Sequence, residues 1–188
     1  MGNAEVKWDK IYASRDKNDH GTVNQGLLAV SELLPFNGRA LDLAGGSGRN
    51  AVWLAKRGLD VTLLDVSSEG LKQASQNAIG LGLNLKLSKI NLEEDSPPVG
   101  PWDLIIVVNY CQTELYKTIN ELLSPGGVVA VVQATVKNLE RHSSPSERFL
   151  LDEKEIGGLF EDLNVIHHES GWRNNGRHEV TIVARSPD

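Results

Sequence analysis

An α/β fold with a mostly parallel sheet covered on both faces is predicted from three observations. Short apolar runs alternate with amphipathic segments from Arg39 onward, the first run empties into a glycine cluster, and turn formers mark most junctions. The predicted strands are 40–43, 60–64, 84–88, 104–108 and 128–133. Helices are predicted over 50–57, 68–79 and 113–123, with another over 152–160 after the fifth strand. Val52, Leu54 and Ala55 supply apolar positions of the first of these, and Gly58, Gly80 and Gly82 stand where helices should stop. Ser124-Pro125-Gly126-Gly127 is a strong turn signal. Ahead of the sheet, 6–14 sets Val6, Ile11 and Tyr12 on one helical face beside Trp8, and 15–20 is polar and loop-like. Thr22 is placed to cap a helix running to about Leu34, which Pro35-Phe36-Asn37-Gly38 breaks. Near the C-terminus 164–168 and 178–184 alternate as strands around a turn-rich 170–176.

The chemistry concentrates at Asp42-Leu43-Ala44-Gly45-Gly46-Ser47-Gly48-Arg49-Asn50. A buried strand passing through glycines into a helix lets a ligand approach the backbone, because no β-carbon stands in the way. The helix start adds free N–H groups and a partial positive end. Gly46 through Ala51 also fits the loose dinucleotide fingerprint, which alone would suit a nicotinamide-dependent oxidoreductase. Asp42 points elsewhere: an acid at the strand mouth repels a pyrophosphate and suits a ligand carrying an ammonium group. Asp65, at the end of the 60–64 strand with Val66 beside it, is placed to accept hydrogen bonds from both hydroxyls of a ribose. Its structural alternative is an N-cap or loop acid before the next helix.

On these residues the chain resembles the class I S-adenosylmethionine-dependent methyltransferases. Asp42–Gly48 is similar to their Asp-x-Gly-x-Gly-x-Gly motif, with Ala44 in place of the first glycine. Asp-Leu-Ala-x-Gly-x-Gly-Arg resembles in particular the tellurite-resistance and thiopurine methyltransferase branch. The resemblance implies a single Rossmann-like domain with a seven-stranded sheet, a closing antiparallel hairpin and an N-terminal helical cap. It assigns 1–37 to the cap and 38–188 to the cofactor-binding sheet and helices. It also implies S-adenosylmethionine as cofactor, held by Asp42, Ala44, Gly46, Gly48, Asp65, Val66, Asn91, Leu92, Val108 and Asn109. Asn91, where the family usually carries Asp, keeps an acceptor oxygen for an adenine amino group, and Leu92 can cover the ring. Its alternative is an ordinary turn residue. The family pattern of helices over the cofactor mouth gives Trp8 and Tyr12 a possible role there, against simple packing.

Asn109-Tyr110-Cys111-Gln112 follows the 104–108 strand. In open α/β sheets ligands lie outside the carboxyl ends of the strands near the reversal of strand order, which is expected to set Asn109 and Tyr110 opposite Gly46. Methyl transfer from a sulfonium needs no covalent enzyme intermediate, so Cys111 reads better as a small buried apolar residue than as a nucleophile. No catalytic group is demanded, and Tyr110 and Arg148 are the two candidates. Lys137, Arg141, His142 and Arg148 cluster in 136–149, a long polar connection after the fifth strand. Arg148 is preferred for an anionic acceptor, because Phe149-Leu150-Leu151 can anchor its backbone.

Composition bounds the rest. A chain of 188 residues suits one domain; 40% hydrophobic and 23% charged residues are ordinary for a globular protein. No apolar run spans a bilayer and the start lacks a secretory signature, so a cytoplasmic protein away from membranes is expected. One cysteine excludes an internal disulfide framework, and the histidines lack zinc spacing, so no metal site is expected. A net charge of −6 argues against broad nucleic-acid binding and for a small-molecule acceptor. A non-catalytic S-adenosylmethionine-binding module stays open as the non-enzyme reading.

Overall fold

Residues 3–14 and 21–188 are described by the computed structural model; the expected 15–20 loop lies outside them. In chain order the elements are α1 (Asn3–Ala13), α2 (Gln25–Ala29), β1 (Arg39–Leu43), α3 (Arg49–Lys56), β2 (Asp60–Asp65), α4 (Ser68–Ile79), β3 (Lys86–Lys89), β4 (Trp102–Val108), α5 (Thr113–Thr118), β5 (Leu123–Ala134), α6 (Ile156–Leu159), β6 (Asn164–Trp172) and β7 (His178–Arg185). The seven strands run in the order β3-β2-β1-β4-β5-β7-β6. Two compact units are distinguishable, 1–24 with 36–99 and 25–35 with 100–188.

In the first unit β1 and β2 pair in parallel with Leu41 against Thr62, and β2 and β3 pair in parallel with Leu64 against Ser88. Leu41, Leu43, Val61, Leu63 and Leu64 are buried, which is why these strands read as near-continuous apolar runs. Each such side chain contributes roughly 1.5–3 kcal/mol on leaving water. Ser67 caps α4, its hydroxyl accepting from the Gly70 amide at 3.0 Å. α1 lies against α4, with Gln73 Nε2 donating to the Tyr12 carbonyl at 2.9 Å.

In the second unit β4 and β5 are parallel, while β7 runs antiparallel to β5 and β6 antiparallel to β7. The implied terminal hairpin is therefore present. Leu104, Ile105, Ile106, Val129, Val131, Ile182 and Val183 form its buried apolar centre. Val136–Glu140 and Glu147–Phe149 are short 3₁₀ turns within the connection after β5.

Several element boundaries differ from expectation. The expected 22–34 helix is reduced to α2 and a 3₁₀ turn at Ser31–Leu33, since Gly26 weakens so short a helix. The 152–160 helix shrinks to α6. There the Asp152 carboxylate accepts from the Lys154 amide in a local turn, and Gly157-Gly158 carries the highest backbone entropy cost. α5 ends at Thr118 and continues as a 3₁₀ turn, Ile119–Leu122. Ser124–Gly127 does not stand apart as a turn but opens β5. Gly126 takes φ +70°, and the register slips between Trp102 and Leu104. β6 runs on to Trp172 because Ser170, Gly171 and Trp172 find ladder partners in Val180, Glu179 and His178. The hairpin turn then closes with Gly176 at φ +78°.

Candidate functional site

The glycine turn is built as its residues require. Ala44, Gly46 and Gly48 have φ of 55°, 59° and 79°, all in the left-handed region. Ala44 therefore occupies a conformation that favours glycine, which accounts for glycine being the family's residue there. A β-carbon on Gly48 would lie 2.8 Å from the Ala74 β-carbon, so this glycine permits close packing of α4. A β-carbon on Gly46 would collide with the Tyr12 hydroxyl, and one on Gly70 would lie 3.0 Å from the same ring. Tyr12 thus lies directly against the turn and the start of α4: it packs there, and it is also the side chain nearest the turn's most exacting glycine.

Two acids face this turn. Asp65 is 6% exposed. Its Oδ2 accepts from the Gly46 amide and its Oδ1 from the Ser67 amide, each at 2.8 Å. Each oxygen retains acceptor capacity beyond that bond. Burial raises the Asp65 pKa, opposed by the Ser67 and Gly46 amides. Asp42 is 1% exposed, and neither of its carboxylate oxygens has a hydrogen-bond partner of good geometry among the described residues. Burial first and the Asp65 charge second push it up to about 8, and Arg49 and the Ala51 amide offset only part of this.

Around the acids, Ile90 donates its amide to the Asp65 carbonyl at 3.0 Å, which ties the 90–92 segment to the end of β2. Leu92 is buried, as a ring-covering residue would be. The Asn91 side-chain oxygen accepts from the Glu93 amide at 3.2 Å, so the local turn uses the acceptor expected for a ligand. Val66 is half-buried between Asp65 and the capping Ser67. Sequence reading left Asp9 without a role. Its Oδ1 accepts from the Ser67 hydroxyl at 2.6 Å and the Glu69 amide at 3.0 Å, giving α4 a second N-terminal cap from α1. The Ser67 hydroxyl first, then the Glu69 amide, lower the Asp9 pKa. The available signal was an acid one turn before Tyr12, too common a spacing to single out.

The remaining candidates belong to the second unit. Val108 is buried at the end of β4, and Asn109 has φ +58° with its amide donating to the Val132 carbonyl at 2.9 Å. The Tyr110 hydroxyl donates to Gln112 Oε1 at 2.8 Å, and Tyr116 donates its own to the Tyr110 carbonyl at 2.6 Å. Cys111 is half-buried, and burial together with the Glu155 charge pushes its thiol up to about 11. A thiol in that range is protonated near neutral pH, which agrees with the non-nucleophilic reading. Arg148 is exposed, its guanidinium 4.4 Å from the Phe149 ring centre. Leu150 and Leu151 are buried, the Leu151 amide donates to Ala134, and Gln133 Nε2 donates to the Phe149 carbonyl at 2.8 Å. The apolar anchor beside Arg148 is present. Among the described residues no group of three or more His, Cys, Asp or Glu side chains is arranged to hold a metal ion.

The sheet order and the comparisons with known proteins support a class I S-adenosylmethionine-dependent methyltransferase, with S-adenosylmethionine as cofactor. Residues 40–127 match the family model described as a methyltransferase domain, and the oxidoreductase alternative gives way to it. Among relatives, the chain is 28% identical over 173 residues to YqeM of Bacillus subtilis, covering 84% of this chain and 69% of that one. It is 27% identical over 160 residues to the tRNA 5-carboxymethoxyuridine methyltransferase of Escherichia coli K12, covering 76% of this chain and 61% of that one. The solved structure of TehB from Haemophilus influenzae shares the fold, with a TM-score of 0.73 at 18% identity over 97% of this chain and 66% of that one.

Asp42 tests whether the residues present fit the cofactor. A buried carboxylate whose oxygens lack a well-aligned donor is costly, and an ammonium group is a partner that would relieve it. The residues fit.

Proposed function

We propose that the chain methylates a small anionic acceptor in the cytoplasm, using S-adenosylmethionine held by Asp42, Ala44, Gly46, Gly48, Asp65, Val66, Asn91, Leu92, Val108 and Asn109. The division into a 1–37 cap and a 38–188 cofactor-binding part is carried forward in this reading. The observation that carries the cofactor assignment is the unpartnered carboxylate of Asp42 beside a left-handed glycine turn. When bound, the cofactor supplies a methyl group on a sulfonium, which already has a good leaving group. Asp42 meets the ammonium group, and Asp65 receives the ribose hydroxyls while holding the Gly46 amide in place. Glycine at position 46 leaves room for the Tyr12 hydroxyl against the turn. The protein's remaining task is to align the acceptor and exclude water, and positioning of this kind reaches effective molarities on the order of 10⁵–10⁸ M.

The anchored segment after β5 supports an anionic acceptor. Buried Leu150 and Leu151 fix the backbone next to Arg148, whose exposed guanidinium can take a carboxylate in two-point fashion. Tyr110 serves as a packing surface for the acceptor. No general base is required if the acceptor is already nucleophilic.

Calorimetry tests the cofactor half: S-adenosylmethionine and its demethylated product should bind, and nicotinamide dinucleotides should not. In a folded Asp65→Ala protein affinity should fall at least about tenfold, the scale of a hydrogen bond to a charged acceptor. Unchanged affinity would reject the ribose assignment. An acceptor screen with radiolabelled methyl donor tests the other half, with small carboxylates and tRNA as separate arms. Once an acceptor is found, Arg148→Ala should impair its use far more than cofactor binding. Labelling of tRNA alone would replace the small-acceptor reading.

A further inference from the structure

The first unit carries a cleft that the cofactor turn does not use. It lies between α3 and α4, has a volume of about 370 Å³, and is lined by Val23, Val52, Trp53 and Leu81. Val52 is buried and Trp53 half-buried, whereas Leu81 is 52% exposed, so the lining passes from core to open surface. Two cations, Arg49 and Lys56, line the same cleft, and among the described residues no acid lines it. Neither cation forms a salt bridge with a described residue. The Arg57 guanidinium lies 4.8 Å from the Trp53 ring centre but is not part of the lining, so the ring is braced from outside.

An apolar cleft of this size lined by two cations and no described acid selects an occupant that is apolar and anionic at once. A flat ring system would gain stacking against Trp53 and burial against Val52 and Leu81. A carboxylate would gain charge-assisted hydrogen bonds from Arg49 and Lys56. We infer that this cleft is a binding site for an amphipathic aryl carboxylate, lined by residues other than those assigned to the cofactor. It also adjoins the turn. Asn77 lines the cleft and donates its side-chain amide to the Ser47 carbonyl at 3.1 Å, so an occupant bears on a residue that shapes the turn.

The probe is 2-naphthoate, titrated into the full chain by calorimetry with and without saturating S-adenosylmethionine. Saturable one-to-one binding is expected with a Kd on the order of 0.1–1 mM, persisting when the cofactor is present. The neutral analogue 2-naphthalenemethanol should bind at least about tenfold more weakly, the scale of one charge-assisted hydrogen bond. Lys56→Glu and Leu81→Asp should each weaken naphthoate by roughly fivefold or more while leaving S-adenosylmethionine affinity unchanged, which shows the fold intact. Arg148→Ala should leave naphthoate binding as it is, because that residue belongs to the acceptor reading. Absence of saturable binding overturns the inference. So does equal affinity for the neutral analogue, insensitivity to both cleft variants, or mutually exclusive binding with the cofactor. None of these outcomes touches the methyl-transfer reading, which stands on cofactor binding and the acceptor screen.

Discussion

Asp42 at the end of β1 and the Thr135–Asn138–His178 group just beyond β5 are both buried, and they are satisfied in opposite ways. Around Thr135 the group is closed. Thr135 Oγ1 and His178 Nδ1 share a hydrogen bond of 2.8 Å, and Asn138 donates to the carbonyls of Thr135 and His178 at 2.9 and 2.6 Å. Asn138 also accepts from the His178 amide at 3.1 Å. Burial lowers the His178 pKa, so the ring is neutral and needs no counter-charge near neutral pH. At the end of β1 the group is open, with both oxygens of Asp42 buried and unpartnered next to a second acid. A closed polar cluster holds a fold together, while an open one costs stability until a ligand completes it. In the proposed function the closed group is a structural junction and the open one receives the cofactor.

The strongest way to break this contrast is at Gly46. Gly46→Val puts a β-branched residue at φ +59° and drives its β-carbon into Tyr12. Cofactor affinity should fall by more than about 100-fold, with the sheet retained by circular dichroism. Normal affinity by calorimetry would show that the turn is not the binding element.

Asp42 sharpens the contrast through pH. Its folded pKa is raised from 3.8 to about 8, so between those values the folded state holds a proton that the unfolded state has lost. Stability of the ligand-free protein should therefore be fullest below the unfolded value and fall as pH rises across that window, by an amount on the order of a few kcal/mol. Urea midpoints at pH 5 and pH 8 measure this, and Asp42→Asn should flatten the slope and weaken S-adenosylmethionine. Cofactor binding near pH 7 should also release protons, visible as a dependence of the calorimetric enthalpy on buffer.

Asn138→Ala tests the closed cluster. Losing its bonds should cost about 2 kcal/mol in denaturant unfolding, with cofactor affinity changed less than about twofold. A large loss of affinity with little loss of stability would reverse the roles given to the two strand ends. The smallest effect is expected at Ala44. Ala44→Gly relieves a left-handed alanine but frees the unfolded chain, leaving a net gain of up to about 1 kcal/mol in thermal or urea unfolding.

These contrasts also mark what the sequence could carry. The strand–helix alternation, and the places of Asp42, the glycines and Asp65 at the strand ends, were legible because each rests on local rules of period and turn chemistry. The N-capping role of Asp9 was not, since its partners Ser67 and Glu69 are distant in sequence and meet it only through packing of α1 on α4. Asn91 was legible as a polar residue at a strand end, but whether its oxygen served a ligand or the Glu93 amide depended on backbone geometry. Helix lengths were overestimated at 22–34 and 152–160, because apolar spacing survives in segments where glycines and a side-chain turn prevent continuous helix. The closed cluster at β5 was missed altogether. Thr135, Asn138 and His178 look like ordinary loop and strand residues until β7 brings His178 back beside Thr135.

The double cap on α4 has a consequence for the order in which the chain acquires structure. A helix of eleven residues is marginal alone in water, so α1 owes its persistence to its dock. That dock includes Ser67 and the Glu69 amide, contributed 58 and 60 residues downstream of Asp9. α1 is therefore synthesised before its dock and has no surface to settle on until β2 and the first turn of α4 have formed. It is made before its dock and secured only with it, and its amide protons should exchange no more slowly than those of the helix it clasps.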